Sequence, residues 1–405
     1  MITIERLNLR AEGVAPGVVV ARALPGEEVT GEAVEGRIAQ PKILTPSAQR
    51  VAAPCAHYKA CGGCSLQHAR DDFVEEWKTG VVRQALTAQG LEAAFRPTVT
   101  SPAATRRRAT LTGRRLKSGA LVGFHGRASG TVTAIPGCTL LDPALIAVIP
   151  ALEALVVEGG SRKGEMRLTV TRFAEGIEAA VEDGKPLDTA LRIAVPQIAG
   201  AHGLARLAWN GEVLLQEAPP TLAMGRARVS PPPGAFLQAT PQGESALRAA
   251  VVEAVGSAKR VADLFAGCGT FALPLAETAE VHAVEGSAPM LDALNHGWRN
   301  ASGLKRVTTE ARDLFRRPLL PDELAKFDAV VIDPPRAGAE AQIAELARAQ
   351  VPVIAHVSCN PVTFARDART LLQAGYRLDW VQVVDQFRWS AHVELAARFV
   401  WPHIA

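Results

Sequence analysis

From about residue 236 onward the chain alternates short apolar runs with helical stretches, and this rhythm limits the folds open to it. The apolar runs lie at 261–265, 281–284, 329–332 and 353–357. Stretches such as 243–255 and 340–349 separate them with helical spacing. Continuous apolar strands need cover on both faces. The pattern therefore predicts an α/β fold: a parallel, Rossmann-like sheet with helices on either side.

A chain of 405 residues is too long for one ordinary core, and its composition shifts suggest where it divides. Residues 1–45 alternate short apolar runs with Gly and Pro, which predicts a small N-terminal β module. Residues 46–92 hold a cysteine-rich segment and then helical spacing over 71–89, with Phe73, Trp77, Val81 and Leu86 on one side. Residues 93–235 read as a central, mainly antiparallel β domain with some helix. The linker Ser230-Pro-Pro-Pro-Gly separates it from the C-terminal domain, 236–405. With 48% hydrophobic and 21% charged residues, a folded, soluble protein is expected. No apolar run is long enough to span a bilayer; the richest, 144–157, contains Pro150 and Glu153. A charged N-terminus without a signal-like run makes a cytoplasmic location and no membrane association the default.

Two segments of the C-terminal domain point to an adenosine-containing ligand. Val261-Ala-Asp-Leu-Phe-Ala-Gly-Cys-Gly-Thr-Phe sets a Gly-rich turn, with Phe265, Gly267 and Thr270 in it, between a strand and a helix. Such a turn lets a ligand approach the backbone. Glu285 ends the next strand, where a carboxylate can accept hydrogen bonds from ribose hydroxyls. The alternative is a turn whose glycines serve only tight packing. Asp313 follows the third strand and is placed to face an adenine, or to be a solvated turn residue.

Two more segments end at the same sheet edge. Val330-Val-Ile-Asp-Pro-Pro-Arg holds Asp333 on a rigid turn, where ligands bind in parallel sheets. His356-Val-Ser-Cys-Asn-Pro displays Cys359 at the end of the next strand, beside a helix N-terminus expected to lower its pKa. A buried, inert cysteine is the competing reading.

Taken in order, Asp263-Leu-Phe-Ala-Gly-Cys-Gly-Thr-Phe, Asp333-Pro-Pro-Arg-Ala-Gly, Ser358-Cys-Asn-Pro and His392-Val-Glu-Leu resemble the bacterial RNA (uracil-5-)-methyltransferase family. The resemblance extends to Phe236-Leu-Gln and to Cys55-x5-Cys61-Gly-Gly-Cys64-Ser-Leu-Gln-His, and so covers most of the chain. It implies a class I S-adenosylmethionine-dependent methyltransferase domain with Cys359 as nucleophile and Glu394 as base. It also places Gln238, Phe265, Glu285, Asp313 and Asp333 at the donor site. The chemistry is coherent: a thiolate added to carbon 6 turns carbon 5 of uracil into a nucleophile, and a base must then remove the carbon 5 proton.

Cys55, Cys61, Cys64 and Cys138 offer four soft ligands, suited to zinc or to an iron–sulfur cluster. The resemblance favours [4Fe–4S] and the ribosomal RNA branch; zinc remains the alternative. Net charge is only +3, so any phosphate track must be local. Thr105-Arg-Arg-Arg-Ala-Thr-Leu-Thr-Gly-Arg-Arg-Leu-Lys is the densest basic stretch, in a central domain expected to bind RNA. The N-terminal module corresponds to the small RNA-binding barrel of relatives, but Glu27, Glu28, Glu32 and Glu35 make it acidic. Gly130 stands where relatives often carry His. Ribosomal RNA is the expected partner of a monomer. A transfer-RNA uridine-5 methyltransferase and a non-catalytic RNA-binding assembly factor are the competing functions.

Overall fold

The computed structural model describes residues 1–402; the last three residues of the expected C-terminal domain lie outside them. Its main element is an eight-stranded sheet. In spatial order the strands are Val307–Ala311, Glu280–Glu285, Arg260–Leu264, Ala329–Ile332, Val353–Ser358, Leu395–Val400, Arg377–Asp385 and Phe95–Thr100. The first five run parallel, and Leu395–Val400 is antiparallel to both of its neighbours. Each run expected from the sequence becomes a strand, with its ends shifted by a residue or so.

Alternate residues of these strands feed two cores, as strand geometry requires. Val261, Val281, Val331 and Ala355 share one core with the helix Pro241–Val255. Ala262, Val284, Val330 and Ile354 face the helices Glu340–Ala349, Pro361–Ala374 and Asp71–Thr87. The helix Asp71–Thr87 buries Val74, Val81, Val82 and Leu86, spaced along one face, and carries Asp71 and Asp72 in its first turn. Phe73 and Trp77 are only half-buried.

This packing departs from the boundary expected at 93. The strand Phe95–Thr100 pairs in parallel with Arg377–Asp385 and so completes the C-terminal sheet. Pro97 and Arg96 weaken its apolar signal, and an edge strand tolerates both. The boundary at 230–234 is also displaced. The hairpin Leu222–Met224 and Ala227–Val229 already packs into the C-terminal core. The Pro-rich segment is strapped to the central sheet: the Pro231 carbonyl accepts from Arg206, and the Gly234 N–H donates to Glu178.

The central domain is a seven-stranded sheet, antiparallel except that Gly176–Glu182 and Arg206–Trp209 run parallel. The helices Ile149–Gly159 and Thr189–Ala201 pack on it. The N-terminal module forms two small sheets around Ile4, Val20, Val29 and Ile38. Its Glu27 is not a surface charge. The carboxylate is fully buried and holds Arg50, the Leu24 N–H and the Ser47 N–H.

The basic stretch differs most from expectation. Arg107 is buried, donates to the Gln238 carbonyl and pairs with Glu244 of the helix Pro241–Val255. Arg108 donates to the carbonyls of Gly234 and Ala235, and Arg106 to that of Arg108. Arg107 thus joins the central sheet to the methyltransferase core, and all three guanidiniums hold protein partners rather than forming a free phosphate track. Arg114 and Lys117 remain exposed.

Candidate active site

Strand order reverses beside Arg260–Leu264, whose two neighbours lead to opposite sides of the sheet. The carboxyl ends there open a crevice, the usual ligand site of such sheets. Phe265 begins the turn with φ +62°, a left-handed conformation unusual for a bulky residue. Backbone strain of this sort gathers at ligand sites. Gly267 has φ +56°, and a Cβ there would meet only the Met290 terminal methyl, at 3.6 Å, so its face is open to a ligand. At Gly269 a Cβ would press on Leu273 at 2.9 Å, so this glycine serves packing. Thr270 is half-buried in the same turn.

Glu285 ends its strand beside this turn. Its carboxylate accepts from the Gly267 N–H at 3.0 Å and the Ser287 N–H at 2.9 Å. Asp313 lies on an exposed turn and accepts from the Phe315 N–H at 3.0 Å. The turn carries Phe315, 49% exposed, to within 5.5 Å of the Phe265 ring centre. An aromatic pair at the crevice rim, Phe315 exposed and Phe265 half-buried, can take a flat ring; Phe315 gave no signal in the sequence.

The second half of the site brings Asp333, Cys359, Glu394 and Gln238 together. Asp333 follows Ala329–Ile332, and its N–H donates to the Leu264 carbonyl at 3.2 Å. Cys359 is half-buried just past Val353–Ser358. Asn360 caps the next helix and donates to the Arg336 carbonyl at 2.9 Å, which ties the Asp333 turn to the Cys359 turn. Glu394 is buried and enters the same sheet edge from the antiparallel strand. Its carboxylate accepts from the Gln386 side-chain amide at 3.0 Å, and that amide also donates to Gln238.

The electrostatics are strongly acidic. Burial, then repulsion from Asp333, pushes the Glu394 carboxyl upward; burial raises Asp333 likewise. Burial and these two carboxylates push the Cys359 thiol up to about 11. The helix N-terminus beside Cys359 was expected to lower it, but desolvation and two carboxylates outweigh one helix end. Arg336 is the opposing cation for both Cys359 and Glu394. Its guanidinium donates to His392, whose pKa burial and Arg336 lower to about 4, so the imidazole is neutral and can accept. An acidic crevice suits a cationic ligand such as a sulfonium.

Cys359, Arg336 and His392 also line the floor of a cleft of about 1050 Å³. Trp77 and Arg83 of the helix Asp71–Thr87 form one wall, and Arg6 of the N-terminal module lies on another. This lies at the upper end of the roughly 300–1,000 Å³ of a small-molecule pocket.

Cys55, Cys61, Cys64 and Cys138 line a second, small cavity, all as free thiols. Burial pushes the Cys64 thiol up to about 12, and Cys61 and Cys138 upward too. Each of these three is further raised by neighbouring cysteines of the set. Among the described residues no three His, Cys, Asp or Glu side chains converge on one ion. One zinc would draw its sulfurs to about 3.8 Å from each other, given Zn–S bonds near 2.3 Å. A cubane cluster binds each sulfur to a different iron and keeps them further apart. Four cysteines around one cavity are a soft donor set that suits either group.

The fold and crevice together define a class I S-adenosylmethionine-dependent methyltransferase. Residues 234–399 match the tRNA (Uracil-5-)-methyltransferase family. An RNA methyltransferase of Rhizobium meliloti is 43% identical, with 98% of each chain covered. The 23S rRNA (uracil(1939)-C(5))-methyltransferase RlmD of Chromohalobacter salexigens is 34% identical over 97% of this chain and 87% of its own. In fold the chain resembles the Pyrococcus abyssi tRNA (uracil-54, C5)-methyltransferase in complex with S-adenosyl-L-homocysteine, with TM-score 0.77, 23% identity and 98% of each chain covered. The chain belongs to the RNA (uracil-5-)-methyltransferase family.

Proposed function

We propose that this enzyme methylates carbon 5 of a uridine in ribosomal RNA through a covalent adduct with Cys359 that Glu394 resolves. The observation that carries this reading is the meeting of a displayed cysteine, a buried carboxylate with a raised pKa and the methyl-donor crevice at one sheet edge. The cleft above Cys359 supports a polymer substrate with its target base extruded into the site. The four-cysteine set and the likeness to an RlmD favour ribosomal over transfer RNA. The proposed enzyme is a monomer that meets its RNA in the cytoplasm.

Cys359 loses its thiol proton to solvent, and the resulting thiolate, a minority form at neutral pH, adds to carbon 6 as the ring's electrons shift to the carbon 4 oxygen as an enolate. Carbon 5 then attacks the methyl group of S-adenosylmethionine, whose sulfur departs as neutral thioether. Glu394 takes the carbon 5 proton, the 5,6 double bond re-forms and the thiolate leaves. A carboxyl raised toward neutrality by burial is a stronger base than a solvated one, which suits this step. Gln238, Phe265, Gly267, Thr270, Glu285, Asp313 and Asp333 hold the donor. Cys55, Cys61, Cys64 and Cys138 hold a [4Fe–4S] cluster with a structural part, outside the methylation steps.

The test uses ribosomal RNA from a strain lacking the enzyme and donor labelled in its methyl group. Cys359→Ala is expected to give neither product nor adduct. Glu394→Gln is expected to accumulate a labelled protein–RNA adduct that survives denaturing gels. A folded Glu394→Gln variant turning over at the wild-type rate would refute the base assignment. Label entering transfer RNA alone would refute the substrate assignment.

A further inference from the structure

Gln386 stands eight residues before Glu394 at the end of the strand Arg377–Asp385, buried to 1% exposure. Its side-chain carbonyl accepts from the Ala239 N–H at 2.7 Å. That contact fixes which way the amide faces, since an N–H needs an acceptor. The NH2 end is thereby turned toward two other oxygens: the Glu394 carboxylate at 3.0 Å and the Gln238 side-chain carbonyl. Gly243 completes the enclosure. A Cβ there would lie 2.5 Å from the Gln386 Cβ, so the first turn of the helix Pro241–Val255 presses directly on this residue.

We propose that Gln386 is a positioning residue that links methyl-donor binding to the base, through one amide holding both Gln238 and Glu394. The inference rests on the base and donor roles proposed above. With its carbonyl occupied by Gln386, Gln238 has its own NH2 left for the donor pocket. With one N–H aimed at Glu394, Gln386 stabilises the ionised carboxylate against Asp333, which faces Glu394 from the neighbouring turn. Arg336 also favours that ionised form, and Cys359 shares the same environment. A donor that draws Gln238 into place thus sets the hydrogen bond the base needs.

The test compares Gln386→Met, which loses donor and acceptor, with Gln386→Glu, which keeps the shape. Losing the N–H destabilises the ionised base, so the acid limb of the kcat–pH profile moves to higher pH. One hydrogen bond to a buried charge corresponds to about one to two pH units. Gln386→Glu adds a like charge and moves the limb at least as far. In both variants, the labelled adduct is expected to build up at neutral pH and clear as pH rises, with the donor KM raised several-fold. A merely structural role would lower the melting temperature and leave limb, adduct and KM unmoved, which would overturn the proposal. Should Gln386→Met fail to fold, Gln386→Glu decides. If Glu394→Gln traps adduct while neither Gln386 variant shifts the limb, only this inference falls; if Glu394→Gln turns over normally, the underlying base reading falls with it.

Discussion

Glu394 and Asp333 are costly residues for the fold, and the sign of that cost can be worked out. Burial raises both carboxyls above their unfolded values, which lie near 4. A carboxyl raised in the folded state contributes stability below its unfolded pKa and loses it as pH climbs through the folded value. The donor-free enzyme should therefore weaken from mildly acidic toward alkaline pH. Glu394→Gln removes one of the two charges and keeps the shape and the Gln386 contact. Its melting temperature is expected to equal that of the wild type near pH 4 and to exceed it by about 2–6 °C near pH 8. Scanning calorimetry across this range checks the point. A variant less stable than wild type at alkaline pH would show that Arg336 and Gln386 more than offset burial and repulsion.

At the scale of elements, the strand Arg108–Arg115 and the residues before it form a joint between two domains. Arg107 reaches from that joint to Glu244 on the helix under the donor site, both buried. Breaking a buried pair by removing one partner costs about 3–5 kcal/mol, because the other charge is left uncompensated. Arg107→Ala is thus expected to lower unfolding stability by about that amount in a denaturant titration. The salt dependence of RNA binding should change little, since the guanidinium is buried and occupied by Glu244 and the Gln238 carbonyl. A normal unfolding midpoint with a flattened salt slope would restore the phosphate-track reading. The same joint shows what a sequence can reveal. Runs such as 329–332 are continuous enough to be read directly, and Cys359 and Asp333 are legible because they sit where such runs end. The roles of Arg107, Gln386 and Phe315 depend on what approaches them from residues far along the chain, and no local pattern encodes that approach. The edge strand Phe95–Thr100 hides because pairing on one side lets it keep Pro97 and Arg96.

Across the whole molecule, segments before residue 100 hold the proposed catalytic residues in place. Lys78, fully buried, donates to Asp385 at 2.6 Å and to the Phe387 carbonyl at 3.1 Å, gripping the loop between Gln386 and Glu394. The N–H groups of Ser65 and Leu66 donate to the Trp389 carbonyl at 2.6 and 2.9 Å. Trp389 packs in turn with Cys55, Cys64 and Leu140. The cysteine cavity therefore joins three parts: the 55–64 segment, the central domain through Cys138, and the catalytic loop. Anaerobically purified protein is expected to be brown and to hold about four iron atoms per chain, as one [4Fe–4S] centre requires. Stoichiometric zinc without iron in such a preparation would overturn this. Cys138→Ser removes one ligand from the central domain while leaving the other three on their segment. It should lower iron content and open the segment around 46–70 to limited proteolysis, because the three remaining cysteines lose the cross-link that ties their segment to the central domain. The catalytic loop would loosen at its Trp389 end, so amide exchange over 387–391 should quicken even without RNA or donor. Iron loss with unchanged proteolysis and exchange would show that hydrogen bonds and packing alone fix the loop, and that the cluster serves another end.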